Sequence, residues 1–325
     1  MTTGLTYSTY VDQISTMAVV ASSDVAFQAI LPQMITYAEN RMYRDINFMF
    51  TSTSLHGASF VLTPGNRNLN FNINLSSNTD PAQGTFVVSD QINLLTDANG
   101  DPAATTDPDA CVRVPLLPTT KEFLDAVYGS SLSANRGQPK YFVPFNETLF
   151  FVGPVPDQAY PVEVVGTYRP NSLGYLPAVT SATTGGNITF ASAHGLTSGQ
   201  TVWVAGFSPS GWNGAYQITV TGSTTITIPI TATTATTIGT VANGASTTFI
   251  SLYLPDVFIM ASMIYISAYQ RNFGRANDDP QMAVTYESQY QALLKSALVE
   301  EARKQFESSG WSSQGPATAA TPSRG

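Results

Sequence analysis

The sequence predicts an α+β protein: a helical bundle made by one early helix and two late helices, a β-rich middle layer, and a small all-β domain inserted ahead of the late helices. Three observations predict it. Apolar residues recur at the helical period near both ends of the chain. Between them the period falls to two. From residue 170 to residue 255 there is no Asp, Glu, Lys or Arg at all, a run of 86 residues dominated by Thr, Gly, Val and Ile. Such a run reads as an inserted β module, so the residues on either side of it belong to one domain. The expected organisation is the first part of a core over 1–174, the insert over 175–247, the core's late helices over 248–308, and a C-terminal tail over 309–325.

The elements follow in order. Tyr10, Ile14 and Met17 place a short helix over Tyr7 to Val20, and Ser22, Ser23 and Asp24 offer an N-cap for the next one. That helix carries Met34, Ile35, Ala38, Met42 and Ile46 as a buried stripe. Pro32 interrupts the pattern and is expected at the first helical position, where its missing N–H costs nothing. Glu39, Arg41, Arg44 and Asp45 are expected on the outer face. From Phe48 onward strands are expected at Ser59–Leu62, Leu69–Leu75 and Thr85–Leu95. A short helix at Lys121–Tyr128 and strands at Tyr141–Pro144, Thr148–Val152 and Pro161–Tyr168 follow. In the insert, Thr225 to Ile228 alternate, and Asn213-Gly214 sits where a hairpin turn would. Pro255 and Asp256 open a helix apolar almost all round, with Ile259, Met263 and Ile266 expected in the bundle core. Asp279-Pro280 opens the last helix, whose stripe contains Tyr290, Leu294 and Leu298, with Glu300, Glu301, Arg303 and Lys304 facing solvent. The tail from Ser308 is Ser, Ala, Thr, Pro and Gly with Trp311, too polar to order by its own burial.

Composition excludes several functions. A net charge of −8 disfavours an electrostatic grip on nucleic acid, which needs clustered Lys and Arg. One cysteine, Cys111, allows no intrachain disulfide, and two histidines give no zinc spacing. The N-terminus has no signal-peptide pattern, and Val257 to Ala268 is too short to cross a bilayer. His56 and His194 lie in glycine turns with no nucleophile motif beside them. Asp97-Ala-Asn-Gly-Asp101 begins like a calcium loop but lacks the closing Glu. The carboxylate pairs Asp107/Asp109 and Glu300/Glu301 sit in a loop and on a charged helix face, although two distant carboxylates could still meet in space. The expectation is no enzyme, no metal and no cofactor. Trp203, Phe207, Trp212 and Tyr216 are candidates for a contact surface on the insert, against the simpler reading that they fill its core.

Three segments in order carry a resemblance: Leu31-Pro-Gln-Met-Ile-Thr-Tyr-Ala-Glu-Asn-Arg-Met-Tyr-Arg-Asp-Ile46; then Leu117-Pro-Thr-Thr-Lys-Glu-Phe-Leu124 with Gly137-Gln-Pro-Lys-Tyr141, Gly153-Pro-Val-Pro-Asp157 and Val162 to Tyr168; then Leu254-Pro-Asp-Val257 and onward past Tyr290. Together they resemble the adaptor, or head-completion, proteins that tailed bacteriophages place beneath the portal. The chain departs from that pattern by the roughly seventy residues after Tyr168. Their content, from His194-Gly-Leu196 to Asn213-Gly-Ala-Tyr216, is similar to small β modules in phage tail and neck proteins. The resemblance implies a structural virion protein that forms a ring of about twelve copies, joins head to tail and extends the DNA channel. Its implied partners are itself, the portal protein, and tail tube, nozzle or neck and fibre proteins, with double-stranded DNA passing non-specifically and no membrane. Arg303, Phe306, Trp311 and Pro316 would face the portal. The alternative is a tail or neck decoration or receptor-binding protein that uses the β insert for recognition.

Overall fold

The computed structural model describes residues 4–70, 74–75, 84–270 and 282–309. It is an α+β protein with helices α1 (Tyr7–Ala18), α2 (Val25–Asp45), α3 (Lys121–Tyr128), α4 (Phe249–Tyr253), α5 (Pro255–Gln270) and α6 (Met282–Ser309). The chain divides into two compact units: Met1–Asn47 with Ser172–Gly325, and Phe48–Asn171. The division differs from the expected one. The charge-free segment groups with the helices from both ends, and the residues between Phe48 and Asn171 stand as a unit of their own.

In the first unit, α5 packs against α1, α2, α4 and α6. Its sequence is apolar on nearly every side, and Val257, Phe258, Ala261, Met263 and Ile266 are buried, as a central helix requires. From α2, Met34, Ile35, Ala38 and Met42 are buried; from α6, Tyr290 and Leu294 are buried. Asp24 caps α2 by accepting the Phe27 amide at 2.9 Å. The helix therefore starts seven residues before Pro32, which lies inside it. The cap and the buried Phe27, Ile30 and Leu31 outweigh the roughly 3 kcal/mol that an interior proline costs.

The expectations for Leu298 and Ile259 in the core, and for Glu301 and Arg41 on the solvent face, are corrected. Leu298 is 39% exposed. The buried stripe of α6 is the narrow sequence Tyr290, Leu294, Ala297 and Glu301, spaced four, three and four, and Leu298 falls one position, about 100°, to its side. Glu301 holds a stripe position because Lys304 neutralises it at 2.6 Å. Ile259 is only partly buried and lines an apolar groove with Met17 and Leu293. Arg41 is not a solvent residue either. It forks onto Glu287 of α6, lies 4.3 Å over the Tyr290 ring and is 3.6 Å from Asp45. Tyr290 in turn donates to Asp45 at 2.7 Å, so the polar ends of two helices separated by some 240 residues are locked together.

The rest of the first unit is the charge-free module, with β10 (Val179–Thr183), β11 (Asn187–Phe190), β12 (Thr201–Ala205), β13 (Gly214–Gln217), β14 (Thr219–Val220), β15 (Thr225–Thr227) and β16 (Thr240–Asn243). These form antiparallel sheets in the orders β10-β11-β15-β14 and β13-β12-β16. Ile188, Val202, Val204, Trp212, Ile218 and Ile226 belong to its core. The Asn213-Gly214 pair is not a hairpin turn. Asn213 both accepts the Phe207 amide and donates to the Phe207 carbonyl, at 2.9 and 3.0 Å, and so closes the base of a longer loop.

The unit Phe48–Asn171 contains β1 (Ser52–Leu55), β2 (Asn68–Asn70), β3 (Asn74–Leu75), β4 (Gly84–Thr96), β5 (Val112–Pro115), β6 (Leu117–Pro118), β7 (Tyr141–Asn146), β8 (Leu149–Gly153) and β9 (Val162–Pro170). Two sheets result: β1-β9-β4-β3 with β5 on β4, and β2-β8-β7-β6. Ser59–Leu62 contributes only an isolated bridge between Val61 and Pro161; the strand lies earlier, at Ser52–Leu55, where polar residues hid it. On the β1-β9-β4-β5 sheet a buried carboxylate, Glu163, receives Ser54 at 2.7 Å, Asn93 at 2.8 Å and Arg113 at 3.0 Å. No helix among the described residues is long and apolar enough to cross a membrane.

Candidate functional site

One concavity of the first unit is a cleft of about 440 Å³, within the size range of ligand-binding clefts. Its walls are Leu31, Pro32 and Ile35 of α2, the linker Ser172–Ala178, Trp203 of β12, Val241 of β16, and Tyr7. The period-two alternation of β12 builds it. Val202 and Val204 turn into the module's core, so Trp203 turns the other way, donates to Ser8 at 3.0 Å and sets its ring 6.3 Å from Tyr7. Gly174 completes the floor at φ 82°, where an added Cβ would run into the Tyr7 ring; only glycine reconciles that backbone with that neighbour. The module is thus docked on α1 and α2 rather than projecting freely: Tyr7 and Ser8 also donate their amides to Ser246 and Gly244 at 3.0 Å each.

Behind Ser172 and Leu173 lies Glu39, 3% exposed. It was expected on the outer face. Its position four residues after Ile35 and three before Met42 puts it on the buried stripe, a spacing that could have signalled burial despite its charge. Its Oε1 accepts the Leu173 amide at 2.9 Å. Burial pushes its pKa up to about 7, against smaller opposing effects of the hydrogen bonds from Leu173 and Ser172. Glu39 does not itself line the cleft, so it can hold a proton in the wall but cannot present one to an occupant.

The pH dependence follows. The folded state keeps the proton up to about pH 7, whereas an unfolded glutamate releases it near 4.5. Stability from this group is fully present below 4.5 and is lost as pH rises through 7. The effect is on the order of 3 kcal/mol. Glu39→Gln, which keeps an acceptor for Leu173, should flatten the profile and exceed the parent in stability at pH 8. Urea unfolding at pH 5 and pH 8 checks this; parallel profiles for the two proteins would refute it.

The four aromatics expected as a contact surface do not form one. Trp212 is fully buried and Phe207 nearly so, stacked at 5.9 Å, and Trp212 donates to the Thr233 carbonyl at 2.9 Å. Tyr216 is half-buried and donates to Asn213 at 3.0 Å. Trp203 alone reaches the cleft. A large ring removes more apolar surface from water than any aliphatic side chain, and Trp212 and Phe207 lie in the module's core with its Ile and Val residues. His194 is buried and structural: Nδ1 accepts the Leu196 amide, and Nε2 lies 3.0 Å from the Gly222 carbonyl. His56 is exposed. Asp97 accepts the amides of Asn99 and Asp101, which hold its pKa below the usual carboxylate value. Among the described residues no group of three or more His, Cys, Asp or Glu is placed to hold a metal ion. Arg303 is exposed on α6. The Phe306 side chain, Trp311 and Pro316 lie outside the described residues.

No protein-family model matches the chain, and no curated protein matches it.

Proposed function

We propose that this chain is a structural virion protein of a tailed bacteriophage, forming a ring beneath the portal that joins head to tail and continues the DNA channel. The observation that carries the reading is the packing of α2 and α6 on α5. Helices from opposite ends of the chain assemble in the order in which the adaptor-like segments occur. The clamp of Arg41 on Glu287 and Tyr290 lies within two of those segments.

A ring needs a surface that one copy leaves uncovered. On α6, Val284 is 65% exposed and Val299 52%, and the apolar groove of Met17, Ile259 and Leu293 lies on the same bundle. Such surface favours contact with another protein, and a heterologous contact repeated by rotation closes a ring. The chain's net charge of −8 suits a lining along which DNA slides without being held. Recognition by the insert draws less support, because Trp212 and Phe207 are spent in its core.

The test is assembly. Mixed with the portal protein of the same genome, the chain should form a ring of about twelve copies, countable in electron micrographs. A protein that ignores the portal, or that trimerises alone as a fibre would, overturns the reading.

A further inference from the structure

Helices α5 and α6 each present a charged side chain that has no partner within a turn of its own helix. Asp256 stands in the first turn of α5, and the residues three and four positions from it, Leu252, Tyr253, Ile259 and Met260, carry no charge. Lys295 stands in the middle of α6, and Gln291, Ala292, Leu298 and Val299 at the same spacings carry none either. Both charges are exposed, and among the described residues neither forms an ion pair. Lys304 is the contrast, with Glu300 and Glu301 at those spacings. A charge ringed by apolar residues adds little to the stability of a lone subunit and much to the choice of partner.

The two charges sit in matched patches. Asp256, with the partly buried Ile259 and Met260, lines the groove of about 490 Å³ shared with Met17 and Leu293. Lys295 is followed at the same spacing by Leu298 and Val299, 39% and 52% exposed. Side chains three and four apart share a helix face, so each patch is a charge with an apolar pair one turn beyond it. The patches lie on opposite flanks of α6. Leu294 is buried in the bundle; at about 100° per residue, Leu293 turns to one side of it, into the groove wall, and Lys295 turns to the other. Val284, about three turns before Lys295, continues the Lys295 flank and is 65% exposed.

Opposite flanks of one helix do not meet within a subunit, but they meet between two. We propose that the Lys295 flank of α6 in one copy of this chain packs into the groove of Met17, Ile259 and Leu293 in a second copy. Lys295 then lies opposite Asp256, and Leu298 and Val299 lie over Ile259 and Met260. The equal spacing sets α6 of one copy parallel to α5 of the next. Because the two surfaces differ, the contact is heterologous, and each added copy leaves one patch of each kind free for the next. The inference deepens the ring reading and rests on it for the closure of the series.

Charge reversal in the isolated full chain tests the contact, with sedimentation velocity over a series of concentrations. The parent should associate beyond a dimer. Asp256→Lys and Lys295→Asp should each weaken association at least tenfold, because like charges then face each other. The double variant, with opposite charges restored, should regain most of the loss, and circular dichroism checks that every variant is folded. A parent that stays monomeric, single reversals that associate as the parent does, or a double variant no better than the singles overturns the proposal. A second measurement mixes Met260→Cys with Val299→Cys, each in a Cys111→Ser background. A disulfide between the two variants supports the proposal; no disulfide, or one that each variant forms as readily with itself, overturns it. Failure here leaves the portal experiment standing, since a ring can close through another face. A portal that recruits no ring counts against the ring reading and leaves the charge-reversal result in place.

Discussion

Replacing Met34 with Asp should prevent the α2–α5–α6 bundle from forming. Met34 is fully buried in the middle of α2, on the stripe shared with Ile35, Ala38 and Met42. Two costs add: the lost apolar burial, about 2–3 kcal/mol, and a carboxylate without a partner, several kcal/mol more even if it takes up a proton. A domain's stability is about 5–15 kcal/mol, so the substitution removes most of it. The matched control is Leu298→Asp, at a position expected in the core from sequence but 39% exposed; there the change should stay below about 1 kcal/mol. Urea unfolding followed by circular dichroism, with exchange of the α5 amides, reads both. Comparable losses in the two variants would mean that the α6 stripe is wider than Tyr290, Leu294, Ala297 and Glu301.

The second large effect is expected in the other unit. Glu163→Ala should destabilise Phe48–Asn171 by about 2–4 kcal/mol. The Glu163 side chain is 5% exposed. Burial alone would raise its pKa, yet Asn93, Ser54 and Arg113 together hold it below the ordinary carboxylate value. Its stabilising effect is therefore present above the ordinary value of 4.5 and is lost as pH falls through the lower folded value. Removing the carboxylate leaves Asn93, 3% exposed, with an unanswered donor. Arg113, whose side chain is 42% exposed, can turn to water, which keeps the cost below that of a fully buried pair. Glu163→Gln, which retains an acceptor, should cost less than Ala. Because Trp203 and Trp212 lie in the first unit, their fluorescence should not follow this loss, while exchange of the β4 and β9 amides should. Equal stability of Glu163→Ala and the parent would refute the network's role.

Much of the fold was legible because burial leaves a period in the sequence. The stripe of α2, the all-round apolar run of α5 and the period-two runs of β4, β9 and β15 announce their elements, and the cap at Asp24 marks a helix start. Ser52–Leu55 was not legible, since three of its four residues are Ser or Thr and its pairing with β9 comes from the register of the sheet. Pro32 was misplaced because local propensity counts the cost of proline but not the burial on either side of it. Of the candidate site, Trp203 was visible as an aromatic but not as a cleft wall. That role depends on Ser8 and Tyr7, some 195 residues away.

The sequence by itself determined the α+β class, the buried stripes, the uncharged β module and the lack of a familiar catalytic or metal motif. These are properties of near neighbours along the chain, where period and composition act directly. Only the tertiary structure decided that the module docks on α1 and α2, that Glu39 is buried behind the linker, that Arg41 reaches Glu287, and that Trp203 lines a cleft. Each of these depends on groups far apart in sequence whose hydrogen bonds and desolvation exist only once the chain has brought them together.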